Sequence, residues 1–408
     1  MTTFFNYKWE KNVNSAKKGR TLYNDSMIKI SVIIAILILS ISIFLNNYLK
    51  PFDQHPVLKQ EETYDVAIKV EEVARDLFVP WSIVFTSKDR MLVTERDGKV
   101  REIVNGKLNS KPLAVFNVSA QAEEGLMGMD IDPNYEKNKK IYLCLAYDKS
   151  GALVNKVISA TDKSDEIIED KTLIDDIESA RWHAGCRVKF GPDKKLYVST
   201  GDASKRDLAQ NLNSLSGKIL RLNPDGTIPA DNPFPDSYVY SLGHRNIQGF
   251  DWSSDGNLYA IDHGPSGFDG PGGGDELNLI LKGENYGWPK VSHEESLPEY
   301  KDPLTIWTPA IAPASLTFYT SNILPQFKNT VLVGMLRGEG ILYIEFEDVK
   351  KGIIKKQHKI SGISYGRIRE VIEGPDNNLY FTTSNKDGRG DSVGQNDDKI
   401  YRLTFNKK

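Results

Sequence analysis

From about residue 75 onward, hydrophobic and polar positions alternate in short runs, and the runs come in pairs separated by turn-forming residues. An apolar alternating strand, a turn of Pro, Asp, Asn and Gly, then a second apolar strand recur six times. The segments are IVFTSKDRMLVTE (83–95), MDIDPNYEKNKKIYLCLAY (129–147), VKFGPDKKLYVSTGD (188–202), FDWSSDGNLYAID (250–262), LTFYTSNILPQFKNTVLVGML (316–336) and VIEGPDNNLYFTTSN (371–385). Period-two alternation bounded by such turns predicts β-hairpins. No long amphipathic helix intervenes; the nearest helical candidate, around 161–180, is short and very polar. Repeats of this kind predict an all-β, six-bladed β-propeller, since about 340 residues shared six ways gives roughly 57 per blade, room for four strands. A Greek-key sandwich would not account for the recurring PDxxLY turn, and no linker-like stretch divides 75–405 into two domains.

One run breaks the alternation. Residues 30–49, ISVIIAILILSISIFLNNYL, are uncharged throughout. As a helix they would span about 30 Å, the thickness of a bilayer's hydrocarbon core. Six cations precede them (Lys8, Lys11, Lys17, Lys18, Arg20, Lys29) with two anions (Glu10, Asp25), a balance of +4. Cations before the span predict a cytoplasmic amino terminus and an exterior remainder. A cleaved signal peptide is the alternative, but the run and its leader are long and no A-x-A-like site follows. The predicted organisation is a cytoplasmic basic leader (1–29), a transmembrane signal anchor (30–49), a linker (50–70) and a propeller (71–408), placed at the cell membrane with the propeller outside.

Composition narrows the function. Lys plus Arg (52) against Asp plus Glu (55) gives −3, so the part beyond residue 29 carries −3 − 4 = −7. That removes any general case for nucleic-acid binding. Two cysteines, Cys144 and Cys186, exclude a disulfide-dense scaffold or a Cys-rich metal site; one bridge and two buried thiols both remain open. The six histidines show no ligand-like spacing.

Hairpin geometry places the candidate chemistry. Positions equidistant from a turn's centre face each other across an antiparallel ladder. A turn centred near 193 brings His183 opposite Asp202 within one residue. A turn near Asp255 sets Arg245 and Asn246 against Gly264 and Pro265. A turn near Asp376 sets Arg367 and Arg369 against Ser384–Asn385, and Glu123 and Glu124 precede the second hairpin in the same way. All lie at the blade end opposite the PDxxLY turns, which would be one rim of the central channel. Asp202 would hold the His183 ring and fix its tautomer. Arg367 and Arg369, two apart on a strand, should leave the same face, a costly pairing unless an anion lies between them. Arg337 in GMLRGEG is a third such cation. The glycines of HGPSGFDGPGGGDELN (263–278) would allow close backbone approach to a ligand.

Seven motifs in order, EEGLMGMDIDPNY, HAGCRVKFGPDKKLYVSTGD, GKILRLNPDGTIPADNPF, GHRNIQGF, HGP…GGGDELNLI, ENYGWP and GRIREVIEGPDNNLY, resemble the soluble aldose sugar dehydrogenases of the glucose/sorbosone dehydrogenase family over about residues 75–405. The resemblance implies a six-bladed propeller that uses pyrroloquinoline quinone (PQQ) with calcium, an aldose substrate oxidised at C1 to a lactone, and an external electron acceptor. It implies His183 as general base with Asp202 orienting it, and Arg245 and Asn246 beside the quinone. It implies Gly264 and Pro265 as carbonyl ligands of calcium, and Arg337, Arg367 and Arg369 as cations for the cofactor carboxylates. Glu123 falls where some relatives place a cofactor-contacting Gln.

The residue types suit that chemistry. Forked guanidiniums match carboxylates, calcium prefers oxygen ligands, and the cofactor would carry the redox step. Three features depart from the family pattern: the anionic Glu123, an apparent insertion at Phe268–Gly273, and Trp182 immediately before the base. Two other functions compete. A calcium-dependent propeller lactonase or esterase would need a carboxylate and Asn cluster in the channel. A non-catalytic propeller binding a protein or glycan would predict erosion of the His183–Asp202 pair.

Overall fold

The computed structural model describes residues 68–390 and 392–405. The predicted leader and membrane-crossing segment 30–49 lie outside the described residues. Among the described residues no helix is long and apolar enough to cross a membrane.

The predicted six blades are all present as antiparallel sheets, five of them built from consecutive strands. The innermost strands, in chain order, are Pro80–Phe85, Leu126–Ile131, Gly185–Phe190, Ile247–Trp252, Pro313–Tyr319 and Ile368–Glu373, and each packs against its neighbours in a closed ring. The ring is closed by Ile68–Ala74, which pairs with Ile400–Phe405 as the outermost strand of the sixth blade. Its first three residues, Ile68–Val70, fall inside the predicted linker, so the propeller includes at least residues 68 onward.

Period-two alternation here buries both faces of each sheet. Leu258 and Ala260 pack against the third blade, whereas Tyr259 and Ile261 pack against the fifth. Six apolar clusters result among the described residues, one between each pair of adjacent blades. The repeated turn also has a physical basis. Asp193 accepts hydrogen bonds from the Lys195 amide and the Tyr197 hydroxyl, 3.1 Å each. Asp376 does the same for the Asn378 amide (3.2 Å) and Tyr380 hydroxyl (3.0 Å). The PDxxLY signature is therefore a carboxylate pinning its own turn to the strand that follows.

The polar stretch around 161–180 is not a helix. It holds the outer strand Ile167–Glu178, interrupted by register shifts, whose Ile167, Ile174 and Ile177 are buried while its charges face outward. Long-range pairing with Ala152–Asp162 overrides the polar local pattern.

Cys144 and Cys186 form a disulfide across the interface of the second and third blades, with Cα atoms 5.5 Å apart. It closes a loop of 42 residues. Replacing both cysteines with Ala is expected to lower stability by roughly 2–4 kcal/mol through the freed unfolded chain, read as a lower denaturant midpoint.

Candidate active site

Every inner strand carries a register shift at the same end. The shifts fall between Pro80 and Ser82, Leu126 and Met129, Gly185 and Val188, Ile247 and Gly249, Pro313 and Ser315, and Ile368 and Glu370. Bulges bend a strand and re-aim the extra residue. Repeated six times, they send Trp81, Arg187, Gln248 and Arg369 to a common centre. The guanidiniums of Arg187 and Arg369 lie 4.2 and 5.5 Å from the Trp81 ring centroid. Arg369 Nη1 donates to Gln248 Oε1 (2.9 Å), and Arg187 Nε donates to the Gln248 carbonyl (3.0 Å). Four blades thus meet on the axis.

His183 stands beside that centre. Its Nδ1 is 2.7 Å from Asp202 Oδ1, as the hairpin register predicts. The fully buried Asp202 also accepts hydrogen bonds from Trp288 Nε1 (2.8 Å) and the Ser204 amide (2.7 Å). A carboxylate held this way favours the Nδ1–H tautomer and leaves the Nε2 lone pair as the ring's proton acceptor. His183 itself sits in the left-handed region (φ +61°). A Cβ on Gly201 would lie 1.8 Å from the His183 carbonyl oxygen, so only glycine admits this approach. The His183 side chain is 4% exposed. The Phe268 ring is stacked on it at 5.8 Å and is itself 68% exposed.

The predicted partners surround this dyad. Asn246 Oδ1 accepts from the Gly185 amide (3.1 Å) and Gln248 Nε2 (3.0 Å), and its Nδ2 donates to Glu123 Oε2 (3.2 Å). The same carboxylate oxygen accepts the His183 amide (3.0 Å). Burial pushes the Glu123 carboxyl up, but the Arg389 guanidinium, His183 and His263 outweigh it and bring its pKa to about 2. Glu124 has a different role: buried, it accepts hydrogen bonds from the Gln121 and Ala122 amides and the Ser119 hydroxyl, shaping its own loop.

Arg245 donates to Asp269 (2.7 Å), Ser266 (3.1 Å) and the His263 carbonyl (3.2 Å), which orders the apparent insertion around Phe268. The Gly264 amide donates to Asp275 (2.9 Å), whose other oxygen holds the amides of Ile311 and Ala312. A Cβ on Gly264 would meet the Gly273 carbonyl oxygen at 2.1 Å. The Pro265 carbonyl accepts the Gly273 amide at 3.2 Å. The Arg337 amide donates to the Ile311 carbonyl, placing that residue beside the same segment. Among the described residues no cluster of three or more His, Cys, Asp or Glu side chains is placed to hold a metal.

The two spaced arginines do not act as a pair. The bulge between Ile368 and Glu370 separates them. Arg367 donates from Nε (2.9 Å) and Nη2 (2.8 Å) to Asp387 and from Nη1 (3.0 Å) to the Leu336 carbonyl, so the protein supplies its counter-anion. Arg369 turns to the axis; burial pushes its pKa down to about 9. Its Nε, like that of the buried Arg96, has no hydrogen-bond partner among the described residues. Sequence reasoning missed Arg96, Gln248 and Trp288. Only the recurrence of polar residues at the same inner-strand end pointed toward Gln248.

The sequence profile of the family described as Glucose / Sorbosone dehydrogenase matches residues 77–395. The chain belongs to that family. Among the relatives of this glucose/sorbosone dehydrogenase family member is the aldose sugar dehydrogenase YliI of Escherichia coli K12, 30% identical over 350 residues, covering 79% of this chain and 91% of that protein. The PQQ-bound aldose sugar dehydrogenase of Streptomyces coelicolor superposes with a TM-score of 0.73 at 30% identity, over 84% of this chain and 99% of the other. A putative oxidoreductase (glucose dehydrogenase) of Thermus thermophilus gives 0.76 at 38% identity, over 82% and 99%.

Proposed function

We propose that this family member is a PQQ-dependent aldose dehydrogenase, anchored in the membrane by 30–49 with its propeller outside. The observation that carries the activity is the His183–Asp202–Trp288 chain beside buried guanidiniums with unmet donors. A buried cation lacking partners is unfavourable unless an anion joins it. An acceptor-rich planar tri-anion fits Arg369 and Arg96 on that ground. Arg369 and Arg337 would hold its carboxylates, with Arg245 and Asn246 beside the quinone, whereas the guanidinium of Arg367 is already engaged by Asp387 and the Leu336 carbonyl. Calcium would rest on the Gly264 and Pro265 carbonyls and polarise a bound oxygen. PQQ, when bound, supplies a two-electron oxidising capacity that no side chain here has.

His183 Nε2 takes the proton of the aldose C1 hydroxyl as C1 is oxidised, and the product is a lactone. Asp202 stabilises the imidazolium that forms, and Trp288 keeps the carboxylate oriented. Phe268 and Trp182, both exposed, offer apolar surface to the CH face of a sugar. Phe268→Ala is therefore expected to raise KM for an aldose several-fold, the worth of one aromatic contact at about 0.5–1.5 kcal/mol. Steady-state kinetics would show kcat little changed.

Two observations support the dehydrogenase over its rivals. A lactonase site would need the carboxylate cluster that the described residues do not provide, and a purely binding propeller would not need the intact dyad. The decisive experiment is reconstitution with PQQ and calcium and dye reduction over a panel of aldoses. Turnover should require both additions. No PQQ binding and no turnover with any sugar would leave the non-catalytic reading. Placement outside the cell is supported by the charge asymmetry around 30–49 and by the Cys144–Cys186 bridge, which persists in oxidising compartments. Protease accessibility in intact cells would test it. Electrons would pass to an external acceptor.

A further inference from the structure

Glu123 puts a carboxylate beside a site built for an anion, and the chain answers it from the sixth blade, on the other side of the first blade. Arg389 Nη1 donates to Glu123 Oε1 at 2.9 Å, across 266 residues of sequence. The two elements are the loop before the second blade and the loop between Leu379–Thr383 and Ile400–Phe405 in the sixth. The Arg389 side chain is 47% exposed, while that of Glu123 is only 18% exposed. The other Glu123 oxygen is engaged by the His183 amide and the Asn246 side chain. The titratable groups that face Glu123 besides Arg389 are His183 and His263, with the Arg96 and Arg369 guanidiniums within electrostatic reach.

Asp387 fixes where Arg389 stands. Its Oδ1 accepts the Arg389 amide (2.9 Å), while its Oδ2 holds the Arg367 guanidinium and the Ser384 hydroxyl. The short turn Asn385–Asp387 and the two residues after it thus present a carboxylate to one site arginine and a cation to Glu123. Among the described residues, Arg389 belongs to none of the apolar clusters, and its side chain is exposed.

We propose that Arg389 is a positioning residue that neutralises Glu123 and so keeps the channel mouth receptive to an anionic cofactor. This rests on the PQQ reading of the site. If the pair acts as one unit, its members must be energetically coupled rather than additive.

The test is a double-mutant cycle on the full chain, with PQQ affinity measured by quenching of intrinsic tryptophan fluorescence at fixed calcium and salt. Arg389→Met leaves Glu123 uncompensated and should weaken PQQ binding tenfold or more. Glu123→Gln removes the anion and should bind PQQ within about threefold of wild type or tighter, since like-charge repulsion is relieved. The double variant should return to within about threefold of wild type, and Arg389→Lys should retain affinity because it retains the charge. A thermal scan of each variant accompanies the binding. The Arg389→Met loss should shrink at high salt, which a lost packing role would not do. The inference is overturned if Arg389→Met binds like wild type, or if the double variant stays as weak as Arg389→Met. Wild type that binds no PQQ would overturn the cofactor reading as well. Wild type that binds while the cycle shows no coupling sinks this inference alone.

Discussion

His183→Ala should leave PQQ affinity within a few-fold of wild type while lowering kcat by roughly 10²–10⁴, the usual contribution of a well-placed general base. The asymmetry follows from the hydrogen bonds. The His183 ring spends Nδ1 on Asp202, so its removal takes away Nε2 as proton acceptor and no partner of the arginines. The backbone contacts of residue 183 to Glu123 and across to Gly201 do not depend on the imidazole. Asp202→Asn should lower kcat by the same order, because an amide in that place can no longer select the Nδ1–H tautomer. Stopped-flow reduction with saturating aldose, beside PQQ titration, separates the two quantities. A variant with unchanged kcat would remove His183 as the base.

The second large effect is expected at Arg369, with opposite signs in two measurements. Its guanidinium is buried on the axis, donates to Gln248 and keeps an unmet Nε. Arg369→Met should weaken PQQ binding by roughly thirtyfold to several thousandfold, as loss of one partner of a buried charge pair costs about 2–5 kcal/mol. The same change should leave the cofactor-free protein equally or more heat-stable, because a desolvated cation lacking a carboxylate gives way to an apolar side chain of similar reach. Arg367→Met should not show this second behaviour, since it strands Asp387. Equal destabilisation of the cofactor-free protein by both variants would count against the assignment of Arg369 to cofactor binding.

How much of this was legible beforehand differs from residue to residue. Turn centres alone located His183 against Asp202 and Arg245 near Gly264, because an antiparallel ladder preserves distance from the turn. The same arithmetic set Arg367 against Ser384 and Asn385, but the expectation that Arg367 and Arg369 leave one face of the strand failed at the bulge between Ile368 and Glu370. A bulge inserts a residue that re-aims the side chains, and no local pattern announces it. Trp288 and Arg389 escaped notice because each reaches the site from a long loop, 86 and 266 residues from its partner. The state of the two cysteines depended on how closely adjacent blades approach, which spacing does not encode. The strand Ile167–Glu178 was hidden by its solvent-facing charges, which look alike on an edge strand and on a polar helix.

The seam formed by Ile68–Ala74 with Ile400–Phe405 has a consequence for how the molecule is made. Glu71 and Arg402, 331 residues apart, face each other across it. During synthesis the first strand must wait for residues 400–405 to emerge, so the ring stays open, with unsatisfied strand edges, until they do. Folding of the propeller is therefore gated by the strand Ile400–Phe405, and a ribosome stalled short of residue 400 would hold an unclasped arc exposed to chaperones and proteases.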